Sequence, residues 1–96
     1  MMLEELINIF ASKIGFSTQE LLRQSFVAFI EKNLQEIKDE ISRIQNLYEI
    51  KKPSDFEKLY ENGIIEEKDS WQDYQLFDHL FYKQEIFEEF LIIFKI

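Results

Sequence analysis

There is no cysteine in this 96-residue chain, which excludes disulfides, thiolate metal sites and cysteine nucleophiles. Proline occurs once and glycine twice, too few for the repeated tight turns of an all-β fold, so long helices are the expectation. A single histidine leaves little from which to build a metal centre or a Ser-His type of nucleophilic site. Basic residues are outnumbered, 11 Lys and Arg against 19 Asp and Glu, for a net charge of −8. A surface of that sign repels phosphates, and nucleic-acid binding needs a clustered basic face, so no direct contact with DNA or RNA is expected. Apolar runs are short as well. The longest, Phe90 to Phe94, falls far below the roughly 20 residues of a membrane span. With no basic-then-apolar leader at the N-terminus, the expected location is the cytoplasm, away from any membrane.

What is abundant is apolar and aromatic surface: 46% of the residues are hydrophobic and 16% aromatic. That is enough to offset the ordering entropy that leaves polar, aromatic-poor chains unfolded. The length fits one domain, residues 1–96, of an all-α class. Leu3, Leu6, Ile7, Phe10 and Ile14 recur at steps of three and four, the spacing that lines one face of a helix. Gly15 follows, and a glycine there can take the left-handed conformation that closes a helix. Ser17 and Glu20 then stand at capping-box spacing, predicting a second helix from Thr18.

No glycine or proline interrupts the chain from Thr18 to Tyr48, so this helix is expected to be long. Val27, Ile30, Leu34, Ile37, Ile41, Ile44 and Tyr48 follow strict 3-4 spacing, the a and d positions of a coiled-coil seam. Leu22, Phe26 and Phe29 widen the stripe near its start, which predicts burial on more than one side there. About 31 residues of helix would span some 45 Å, more than the diameter of a compact domain of this length. The seam packs either within the chain or against a second copy, and the length favours a helical-bundle homodimer joined along it.

Pro53 ends the run, and Ser54 with Glu57 repeats the capping spacing, predicting a short helix over Asp55–Glu61 that Gly63 closes. A last helix is expected from Asp69 or Ser70, with aromatics too widely spread for one stripe and hence covered on more than one side. Trp71, Tyr74 and Phe77 beside Asp69, Asp73 and Asp78 form a candidate partner-binding cluster with an acidic rim. The same acids, with Glu66 and Glu67, could instead hold a cation or act as an acid–base pair, although their spacing matches no calcium loop. His79 has Gln75, Leu76, Tyr82 and Lys83 at helical offsets, none of them a usual metal ligand. Neither catalytic, metal nor cofactor residues are assigned.

The stretch from Leu3 to Leu34, with Ile14-Gly15-Phe16-Ser17 as its turn and Glu20 to Ser25 opening the second helix, resembles the two-helix part of ribbon-helix-helix antitoxins. The remainder, with Gly63 to Glu67 and Asp69 to Asp73, resembles small helical proteins of prokaryotic toxin–antitoxin operons. That resemblance implies an acidic antitoxin covering a small basic toxin. The basic strand with which the family reads DNA does not precede Leu3, so operator binding is not expected. The expectation is therefore a non-enzymatic protein-interaction module. A structural or adaptor homodimer is the first alternative, and a small enzyme or metal-binding protein using Asp69 and Asp73 the second.

Overall fold

A computed structural model describes all residues from Met1 to Ile96 as four helices: α1 (Leu3–Lys13), α2 (Thr18–Tyr48), α3 (Asp55–Glu61) and α4 (Glu67–Lys95). The all-α order of short, long, short and aromatic-rich long helices is as the sequence implies, with α4 starting two residues earlier than Asp69. Local chemistry explains most boundaries. At the end of α1, Phe16 N–H donates to the Ala11 carbonyl at 2.8 Å and Gly15 N–H to that of Ser12 at 3.3 Å, with Gly15 at φ 78. This pair of bonds around a left-handed residue is a Schellman motif. It recurs after α3, where Ile64 N–H reaches Leu59 and Gly63 N–H reaches Tyr60, with Gly63 at φ 66. At the start of α2, the Glu20 N–H donates to Ser17 Oγ at 3.1 Å.

Two capping details differ from expectation. The Glu20 carboxylate does not reach back to close a capping box; it accepts from Arg23 Nη2 at 2.6 Å and from Gln24 Nε2 at 2.9 Å. A guanidinium one turn away is a stronger donor to a carboxylate than a neutral backbone N–H. Ser54 makes no cap either. Its neighbour Asp55 accepts from the N–H groups of both Lys51 and Lys52, at 3.0 and 3.1 Å, and so ties the α2–α3 turn to the start of α3.

The long helices α2 and α4 lie antiparallel. Phe26 stacks on Phe94 with ring centroids 5.3 Å apart at one end, and Tyr48 bonds Asp73 at the other. The hairpin extends 61 × 29 × 16 Å with a radius of gyration of 19.5 Å, against about 12.5 Å for a compact chain of this length. Length is thus accommodated neither by breaking α2 nor by enclosing it, but by laying a second helix of 29 residues along it.

This settles where the seam goes. Ile30, Leu34, Ile37, Ile41 and Ile44 are buried and Val27 and Tyr48 half-buried within the single chain. The seam assigned to a homodimer is covered by the chain's own α4, because α4 carries a matching stripe from Ser70 through Phe77, Leu80, Phe87 and Leu91 to Phe94. The hydrophobic core proper sits at the closed end of the hairpin, where Ile37, Ile41, Ile44, Ile50, Phe56, Phe77 and Leu80 form one buried cluster. Phe56 from α3 lies within it, edge-on to Phe77 at 5.9 Å and stacked on Tyr74 at 5.1 Å. No helix is long and apolar enough to cross a membrane.

Candidate functional site

The open end of the hairpin, where the start of α2 meets the end of α4, is poorly covered. Phe26, Phe29, Phe87, Phe90 and Phe94, with Ile30 and Ile86, line a shallow groove of about 310 Å³ without one polar side chain. A second hollow of about 240 Å³, lined by Leu22, Ser25, Phe26 and Phe29, continues it along α2. Phe29 keeps 58% of its surface exposed and Phe26 49%, so the burial on several sides expected at this end is not supplied by the chain itself. Ridge geometry explains it. Antiparallel helices bury only the stripe between them, and Leu22, Phe29 and Phe90 stand off that stripe.

The rim of the groove is polar and self-paired. Arg23 donates through Nη1 to the Phe94 carbonyl at 3.2 Å, satisfying an acceptor at the end of α4, where positive charge is favoured by the helix dipole. Its remaining N–H groups clasp Glu20, whose carboxyl is held down to about 2, first by the hydrogen bond from Arg23 and then by that from Gln24. Lys95 Nζ lies 3.5 Å from Glu31 on the same rim.

At the closed end the predicted cluster is only partly assembled. Trp71, Tyr74 and Asp78 do line a common hollow of about 250 Å³ with Gln75, and Trp71 is 44% exposed. Phe77 is not part of that surface: it is fully buried in the core, since it falls on the inward stripe of α4. Asp73 is half-buried and turned to Tyr48, whose hydroxyl donates to its Oδ2 at 2.6 Å. Burial, and then that bond, push the Tyr48 phenol up to about 12. Tyr74 likewise donates to Glu57 at 3.1 Å, and burial first and that bond second raise its phenol too. Asp69 is exposed in the first turn of α4, where acids suit the dipole. No three carboxylates or histidines converge on a common point, and the buried Ser70 hydroxyl is occupied by Tyr60 and the Glu66 carbonyl, each at 3.0 Å.

The larger candidate surface is therefore the open end, which sequence reasoning passed over as interior. A signal was present. Once the stripe from Ser70 to Phe94 is phased, Phe90, Ile92 and Ile93 fall outside it, just as Leu22 and Phe29 fall outside the α2 seam. No curated protein and no solved structure matches the chain. Residues 1–92 match the model of the Uncharacterized protein MJ0235 family, and the chain belongs to that family.

Proposed function

We propose that the protein is a non-enzymatic interaction module that docks another polypeptide through the apolar open end of its hairpin. The observation that carries this reading is the Phe26–Phe29–Phe90 surface, an apolar patch with a paired, polar rim. Exposed patches of this composition cost hydration free energy and mark contact sites, and buried aromatics supply most of the energy in protein interfaces. The carboxylates at Asp69 and Asp73 support catalysis less well, because Asp73 is engaged by Tyr48 and Asp69 stands free at a helix start.

The most concrete form of the role is an acidic antitoxin covering a small basic toxin. It draws on the net charge of −8, which favours encounter with a basic chain, and on the resemblance of the Leu3–Leu34 unit. Co-expression with the products of flanking genes tests it: a basic product should co-purify with the wild-type chain and be lost from Phe29→Glu. Retention of the partner by Phe29→Glu, with the variant folded, would move the contact elsewhere. Trp71→Ala in the same assay addresses the acidic face.

A further inference from the structure

Taking the open end as a docking surface, which rests on the reading above, we infer that its occupant is a second copy of this chain, packed two-fold so that the acidic closed ends point apart. The first argument is area. The accessible surface is 7324 Å², about 1,400 Å² more than a globular monomer of 11.7 kDa exposes. A standard interface removes roughly 800 Å² from each partner, and larger obligate dimers remove more. The excess is of the size that one self-contact covers.

The second argument is where that surface lies. Of 20 large hydrophobic residues with substantial exposure, 15 fall in residues 1–34 and 86–96, the segments that build the open end. They include Leu6 and Phe10 on the outer face of α1 as well as Leu22, Phe26, Phe29 and Phe90. Two copies of α1, the start of α2 and the end of α4 would make a six-helix bundle, in which each exposed stripe gains the second neighbour that one chain cannot give it.

The third argument is charge, and it separates a second copy from a basic partner at this site. Residues 1–34 and 86–96 hold six acidic and four basic residues, whereas residues 35–85 hold thirteen and seven. The open end thus carries −2 and the remainder −6. Within the open end the strongest carboxylate, Glu20, is neutralised by Arg23, and Glu31 faces Lys95. The open end attracts a basic chain less strongly than the closed end does, and little there repels an identical one. With the hairpins pointing apart along their 61 Å axes, the two −6 regions lie many Debye lengths from each other, about 8 Å each at physiological ionic strength.

Sedimentation velocity on the purified chain over a concentration series should give a dimer. Phe29→Glu, and separately Phe90→Glu, should raise its dissociation constant by about 30-fold or more while circular dichroism stays helical, since both side chains are exposed in the single chain. Because no cysteine is present, single spin labels can report the geometry. Labels at Ala28→Cys should give a short distance between copies, and labels at Gln72→Cys none within the range of the method. A monomer that binds a hydrophobic dye, with the dye displaced by the Phe29→Glu change, overturns the second-copy inference and leaves the docking surface standing for a different chain. A monomer that binds no dye overturns both. A dimer that survives both Glu variants, or one that brings the Gln72 labels together, overturns the inference as well.

Discussion

Glu49 is the one non-glycine residue with positive φ, at 56°, and it closes α2 by letting the Ile50 N–H reach the Gln45 carbonyl at 3.0 Å. A side chain in the left-handed region costs about 1 kcal/mol, which glycine escapes. Glu49→Gly should therefore raise stability by about 1 kcal/mol in urea unfolding. Gly15→Ala should lower it by a similar amount, since the cost there is conformational only: no heavy atom lies within 4 Å of the added Cβ. Tyr48 makes a different kind of prediction. Its phenol is raised to about 12 by burial and by Asp73, above the ordinary 10. The folded state therefore holds this proton more tightly than the unfolded chain. The resulting stability is fully present below about pH 10 and is lost as pH climbs from there through about 12. Absorbance titration should show tyrosine ionisation continuing above the ordinary 10, from Tyr48 and Tyr74, and Asp73→Asn should bring the Tyr48 part down.

Among the elements, α2 and α4 depend on each other more than on their own propensities, because isolated helices are marginal in water. Ile37→Asp places a carboxylate between them at a position 5% exposed. The prediction is loss of the helical circular dichroism of the monomer itself, since an unpaired buried charge outweighs a marginal stability. Retained helicity with only a change in mass would put Ile37 at an intermolecular contact instead. The short α3 hangs on two anchors, Phe56 in the core and the Asp55 carboxylate on the Lys51 and Lys52 N–H groups. Those backbone donors hold the Asp55 carboxyl below its usual range, so acid should loosen this turn only as pH falls through that lowered value. These elements were largely legible in the sequence: Gly15 and Gly63 take the left-handed conformation that follows α1 and α3, Ser17 caps α2, and Pro53 lies in the turn before α3. The mate of the α2 seam was not. Periodicity tells which face of Val27 to Tyr48 is buried but not what buries it, and the aromatics of α4 concealed their own stripe because Trp71, Tyr82 and Phe90 surround it. For the same reason Phe77 read as surface and Phe29 as interior.

At the scale of the whole molecule, cohesion is uneven along the hairpin. Seven of the eleven buried residues form the closed-end cluster, while the open end contributes Ala11, Ile30 and Leu34. Local stability follows the density of buried apolar contacts, so the two ends should differ in amide exchange. Residues 37–48 and 74–81 are expected to exchange only by global unfolding. Residues 18–30 and 86–95 should open more readily in dilute solution, where their aromatic face meets water. If a second copy covers that face, mass action ties its protection to protein concentration. At a total concentration about 100 times the dissociation constant, open-end amides should slow markedly relative to dilute samples. Closed-end amides move only as far as the global unfolding free energy does. Hydrogen–deuterium exchange at two concentrations separates the cases. A uniform change along the chain would mean that association and folding are one step, and no change anywhere would mean that the open end stays bare in solution.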